Sequence, residues 1–309
     1  MKPAVLNFGK LLKITFTKWW DMEPFRQSAV IAYYAIFSLP ALLVIIITVA
    51  GFAFGTDAID GKIYDQIKDT MGSETADQVK GMLAKANESK ASVWAAILGV
   101  FTVLLGSVGV FVELQKTLNM IWEVEAIQRK GIWGYLRSRV FSFGLILSIA
   151  FLLIISLVIS TILTAVSDLV QADRSQFLAI LFQILNFIVS LVVISFLFAL
   201  MYKFLPDAKI KWRQVWMGAL ITGILFTIGK TALAFYFGKA DPGSGYGAAG
   251  SIILILLWTS YSSMILFLGA EFTHTYADMY LGGVTASATG KKVDKEKSTG
   301  HKSSDKEQF

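Results

Sequence analysis

A lysine inside an apolar run is the residue in this chain best placed to do chemistry. Lys230 stands between Phe226 and Ile228 on one side and Leu233, Phe235 and Tyr236 on the other. A charge in hydrocarbon is costly, and such a residue by default faces a cavity or a partner. It also lies about two helical turns from Gly238, within reach of snorkelling to the headgroups. The two readings stand side by side. Downstream, Gly245-Tyr246-Gly247-Ala248-Ala249-Gly250 matches G-x-G-x-x-G letter by letter. No strand precedes it, so a dinucleotide fingerprint is not expected. What remains is a helix start whose free N–H groups and positive dipole end favour an anion. Lys230, Lys239, Gly245, Gly247 and Gly250 therefore form a candidate site for an anionic headgroup. The plainer alternative is a turn packed by small residues.

Other residues invite weaker readings. Pro40 breaks the hydrogen-bond ladder of an apolar run at Ile36-Phe37-Ser38-Leu39-Pro40, a candidate kink or gate, although kinks are ordinary in membrane helices. Glu113 and Glu271 end two apolar runs. They fit structural ion pairs with basic residues such as Arg137 or Arg139, or proton coupling. Ala219 and Gly223, like Gly106 and Gly109, are small residues at spacings that let helices approach closely. The chain has no cysteine and only two histidines, His274 and His301. Thiolate chemistry, disulfides and Cys-based metal sites are excluded, and no nucleophile–base constellation is visible. No metal or cofactor is expected, and an enzyme is the least expected class.

The elements that carry these residues are set by composition. Hydrophobic residues make up 55% of the 309 and charged residues 16%, against about 25% charged in soluble domains. A hydrocarbon core about 30 Å thick needs roughly 20 apolar helical residues. Six runs meet that length, at about 28–54, 92–112, 140–166, 177–202, 215–237 and 248–272. The expected fold is all-α and polytopic: a six-helix transmembrane domain over 28–277. An extracytoplasmic helical insert is expected at 55–91 and a disordered basic tail over 278–309.

Residues 1–27 read as an interfacial helix, with Val5, Phe8, Leu12, Phe16 and Trp19 recurring opposite Asn7, Lys10, Lys13 and Thr17. Lys and Arg cluster before the first run, after the second and fourth, and in the tail. The 55–91 insert instead carries Asp57, Asp60, Asp65, Asp69, Glu74, Asp77 and Glu88. By the positive-inside rule both termini are expected on the cytoplasmic side. The net charge of +6 is thereby accounted for by orientation. Membrane lipids, anionic ones included, are the expected partners; nucleic acid is not, and homo-oligomerisation stays open.

Several of these stretches carry a family resemblance. Ala32-Tyr33-Tyr34-Ala35-Ile36-Phe37-Ser38-Leu39-Pro40 resembles the first-helix signature of the bacterial YihY/BrkB family. Leu118-Asn119-Met120-Ile121-Trp122-Glu123-Val124 is similar to its motif after the second helix. Phe204-Leu205-Pro206-Asp207 with Gly218-Ala219 resembles its fourth-to-fifth junction. Tyr246-Gly247-Ala248-Ala249-Gly250-Ser251, Leu256-Leu257-Trp258 and Leu268-Gly269-Ala270-Glu271 resemble its last helix. The resemblance covers roughly 19–277. It implies a six-helix inner-membrane protein, transporter-like, in a family some of whose members have been linked to lipid or envelope traffic. The family's older label, ribonuclease BN, is not expected to hold, because His274 and His301 have no evident acidic cluster beside them. The leading expectation is a transporter of a lipid or other amphiphile between leaflets or out of the cell. A proton- or sodium-coupled small-solute exporter and a non-transporting envelope scaffold are the alternatives.

Overall fold

The structure, a computed structural model, describes residues 8–37, 64–65, 68, 76–77, 80–81, 109–126, 176–240, 250–286 and 290–292. These are mostly helical. Helix α1 spans Phe8–Asp21, α2 Gln176–Phe204, α3 Trp212–Ala240 and α4 Gly250–Tyr280, with further helical residues at 24–37 and 109–121. Short strands are β1 Val124–Ala126, β2 Ala208–Lys209, β3 Thr285–Ala286 and β4 Gly290–Lys292.

Three helical segments are long and apolar enough to cross a bilayer: Ile184–Phe204, Trp212–Ala240 and Ile252–Tyr280. They answer to the expected runs at 177–202, 215–237 and 248–272. The expected runs at 140–166 and most of 28–54 and 92–112 lie outside the described residues, as do Pro40, Arg137 and Arg139. On α2, Ile180, Leu181, Ile184, Leu185, Phe187, Ile188 and Val192 are all exposed. So broad an apolar surface is a liability in water and natural in lipid.

Helix ends follow local chemistry. Helix α1 stops at Met22-Glu23, where Glu23 takes a left-handed φ of 54° and its amide bonds the Trp20 carbonyl. Pro24 opens the next helical stretch, where its missing N–H costs nothing. The Glu23 carbonyl accepts from the Arg26 and Gln27 amides, so one residue ends one helix and starts another. At the start of α3 the Gln214 side chain reaches back to the Lys211 amide at 2.7 Å, half of a capping box. Beyond α4, Gly282 and Gly283 adopt φ of 79° and 75°, and the Leu281 and Gly283 amides both bond the Ala277 carbonyl. A side chain at either glycine would be strained.

Helix α1 carries two apolar stripes. Leu11, Thr15 and Trp19, one turn apart, are buried. Phe8, Leu12, Phe16 and Trp20, also one turn apart, are exposed.

The chain divides into two compact units. The first comprises Met1–Thr15, Gln115–Ala219 and Ala270–Phe309; the second comprises Phe16–Leu114 and Leu220–Gly269. In the first, β1 pairs antiparallel with β4, setting Glu125 opposite Lys291, and β2 pairs with β3, setting Lys209 opposite Thr285. The boundary expected at 277/278 therefore falls inside α4, and the segment expected to be disordered contributes two paired strands. Main-chain ladders need no apolar side chains, so hydropathy is blind to them. In the second unit the insert shows Tyr64 donating to Asp77 Oδ1 at 2.8 Å, with the Lys80 ammonium 5.4 Å from the Tyr64 ring centroid. The hydrogen bond to Asp77 holds the Tyr64 hydroxyl above its usual pKa, with desolvation and the charges of Asp77 and Asp65 adding.

Candidate functional site

In the first unit, residues from separated stretches of sequence come together in part-buried polar contacts. Asn119, on the helix over 109–121, donates from Nδ2 to Asp207 Oδ2 at 2.9 Å and accepts from the Asp207 amide at 2.7 Å. Gln115, one turn earlier, donates to the same carboxylate at 3.4 Å. Asp207 follows Pro206 in the turn after α2, so the Leu-Asn-Met-Ile-Trp and Phe-Leu-Pro-Asp stretches are locked together. Lys203 Nζ donates to the Ile210 carbonyl across the same turn. Gln214 donates its Nε2 to the Gly283 carbonyl at 2.9 Å, tying the start of α3 to the turn after α4. Phe196, Phe204, Trp212 and Trp216 pack against one another with centroids 6.0–6.3 Å apart, Phe196 stacked on Trp212 and Phe204 edge-on to it. Tryptophan rings are enriched at membrane–water boundaries.

The first-unit part of α4 is a run of buried polar residues. Glu271, Thr273, His274 and Thr275 are all buried. Thr275 Oγ1 donates to Glu271 Oε1 at 3.1 Å. His274 Nδ1 lies 3.6 Å from Glu271 Oε1 and its Nε2 3.2 Å from Asp278 Oδ2. The Trp122 ring meets the His274 ring edge-on at 5.2 Å. Gly218 of α3 faces Thr273 so closely that a Cβ there would overlap the threonine side chain. The helix continues past the apolar run, and its turns place two carboxylates, Glu271 and Asp278, against the His274 imidazole. Among the described residues no group of three or more His, Cys, Asp or Glu could hold a metal ion.

The second unit has a different character. Gly229 of α3 packs against the Tyr261 hydroxyl end of α4, and Gly109 against the Tyr34 ring. Phe226 meets Trp258 edge-on at 6.0 Å. Thr227 and Thr231 spend their hydroxyls on carbonyls one turn back, Gly223 at 2.7 Å and Thr227 at 3.1 Å. Lys230, beside the Gly229 contact, is half-buried. Its ammonium makes no ion pair or hydrogen bond among the described residues. About 15 Å of α3 continues beyond it to Ala240, which lengthens the reach that snorkelling would need.

The residues proposed for one anion site are only partly brought together. Helix geometry sets Lys239 roughly 13 Å along α3 from Lys230 and on the opposite face. Lys239 is exposed and holds its ammonium 5.0 Å from the Phe235 ring centroid, a cation–π contact. Gly250 is the buried first residue of α4, while Gly245 and Gly247 lie outside the described residues. Glu113 is half-buried, whereas Glu271 is 2% exposed, so the two glutamates are not equivalents. The Asn119–Asp207 clasp and the flanked imidazole had no expectation attached. Their signal in the sequence was polar residues inside otherwise apolar motifs.

Comparisons with known proteins agree with these motifs. The family model described as "Virulence factor BrkB" matches residues 15–294. A UPF0761 membrane protein of Verminephrobacter eiseniae is 29% identical over 80% of this chain and 58% of its own length. One from Saccharophagus degradans is 24% identical over 90% of this chain and 62% of its own. One from Mannheimia succiniciproducens is 23% identical over 91% of this chain and 94% of its own. The chain thus spans less than two thirds of the length of the first two relatives. No solved structure matches it. With apolar helices of membrane length and a family match over most of its residues, this chain is an integral membrane protein and belongs to the Virulence factor BrkB family.

Proposed function

We propose that this protein moves an anionic lipid or similar amphiphile across the bacterial inner membrane, with Lys230 meeting the headgroup on its way. The observation that carries the reading is Lys230 itself: a half-buried cation within a membrane-length helix, with no ionic partner among the described residues. Such a charge by default serves a pathway. Lys239, on the other face, serves as a separate interfacial cation.

In this reading six helices cross the membrane and both termini are cytoplasmic. The basic residues Lys203, Lys209, Lys211 and Arg213 flank Trp212 and Trp216 at the inner boundary. Helix α1 lies in the inner interface, its exposed stripe of Phe8, Leu12, Phe16 and Trp20 in the acyl boundary and Lys10 and Lys13 toward water. Purified protein in liposomes should accelerate transbilayer movement of a labelled anionic lipid over empty liposomes. Lys230→Ala should slow it and Lys230→Arg should retain it. No acceleration for any anionic lipid tested would end this reading.

A second reading, a proton- or sodium-coupled exporter of a small solute, draws on the deep burial of Glu271. Solute flux indifferent to both Glu113→Gln and Glu271→Gln would dispose of it.

A further inference from the structure

An imidazole whose two nitrogens face two different carboxylates is built to pass a proton between them. His274 Nε2 lies 3.2 Å from Asp278 Oδ2, and Nδ1 lies 3.6 Å from Glu271 Oε1. The three side chains differ in access to water: Asp278 is 44% exposed, His274 5% and Glu271 2%. The order along α4 is therefore an exposed carboxylate, a buried imidazole and a buried carboxylate, about one turn apart each. The Trp122 ring, which does not titrate, meets the imidazole edge-on. Gly218, packed on the neighbouring Thr273, carries no charge either.

The second gap is the telling one. His274 Nδ1 is buried and has no hydrogen-bond partner, a state that native structures rarely leave without a reason. At 3.6 Å it stops short of a hydrogen bond with Glu271. Charge-assisted N–H to carboxylate bonds shorten to roughly 2.7–2.9 Å. A small rotation of the Glu271 side chain would close the gap once the imidazole is cationic. Thr275 Oγ1 already holds the same Oε1 atom at 3.1 Å, keeping the acceptor turned toward the ring.

We propose that Asp278, His274 and Glu271 form a proton-loading relay that charges and discharges Glu271 from the aqueous side. Asp278 takes a proton from water and passes it to Nε2 of a neutral, Nδ1-protonated His274. The imidazolium then closes on Glu271 and gives up its Nδ1 proton to Oε1. One proton has entered, Glu271 is a neutral acid, and His274 is left as the Nε2-protonated tautomer. The edge-on Trp122 ring opposes a ring flip, so reset occurs by the reverse transfers. The relay is thus a reversible loader of one buried carboxyl rather than a one-way wire. It stands independently of lipid movement.

Difference infrared spectroscopy after a rapid acidification tests it on the full chain in lipid nanodiscs. The wild type should develop the carbonyl stretch of a buried neutral carboxylic acid, and Glu271→Gln should lack that band. His274→Gln should slow its growth by about tenfold or more, the scale of a lost proton-transfer group. Asp278→Asn, at the exposed end where folding is least at risk, should slow it similarly, and Asp278→Glu should restore the rate. A band that persists in Glu271→Gln would overturn the relay. So would loading at the wild-type rate in a folded Asp278→Asn protein.

Discussion

The first unit is held by polar groups that find one another and by one glycine set against a threonine, and the second by small residues that let rings approach. In the first, Asn119 and Asp207 exchange two hydrogen bonds, and Gln214 ties two turns. In the second, Gly229 and Gly109 meet Tyr261 and Tyr34, and the threonines bond their own helix. Satisfied buried polar groups fix one geometry and are expensive to break. Small-residue packing is softer, because a neighbouring side-chain end can give way. A brace and a softer contact are different tools, and Lys230 stands in the softer region.

The contrast can be broken in order of expected effect. Gly218→Ala drives a methyl into Thr273 at its Cβ and near its backbone. It should cost about 3 kcal/mol, the upper end for overpacking, read as a lowered midpoint of thermal unfolding. Thr273→Gly should recover part of the loss. Asn119→Ala and Asp207→Ala should each cost about 2 kcal/mol, and the double variant less than the sum, because both remove one clasp. A fully additive cycle would mean that the clasp is not a unit.

Gly229→Ala meets the far end of a tyrosine rather than backbone, so its cost should be nearer 1 kcal/mol. A loss as large as that of Gly218→Ala would erase the distinction between the two units. The smallest effect is at the insert. Tyr64 ionises above its usual range because its hydroxyl donates to Asp77. A raised pKa in the folded state means that the contribution is whole below about pH 10 and is lost as pH rises through the folded value. The absorbance titration of wild type minus Tyr64→Phe should show that late ionisation, and Asp77→Ala should bring it earlier.

Much of the helical architecture was legible from apolar runs. Helices α2, α3 and α4 begin and end within a few residues of the stretches at 177–202, 215–237 and 248–272, except at the end of α4. That end was misplaced because Thr273, His274 and Thr275 read as polar and so as outside, whereas the fold buries them. The clasp joins residues 88 apart in sequence, and nothing local announces such a pairing. The strands after α4 were invisible for the reason already given: their bonds are main-chain. Lys230 was legible at once, because a charge in an apolar run needs no structure to be noticed. Its distance from the end of α3, and the opposite placement of Lys239, needed the helix.

The most direct test sets Lys230 against the clasp in the same vesicles. Transbilayer movement of a labelled anionic lipid would be measured beside thermal stability for wild type, Lys230→Ala and Asn119→Ala. The account predicts that Lys230→Ala slows lipid movement with its unfolding midpoint unchanged, while Asn119→Ala lowers the midpoint and leaves the rate per folded molecule intact. A folded Lys230→Ala protein that moves lipid at the wild-type rate would contradict it.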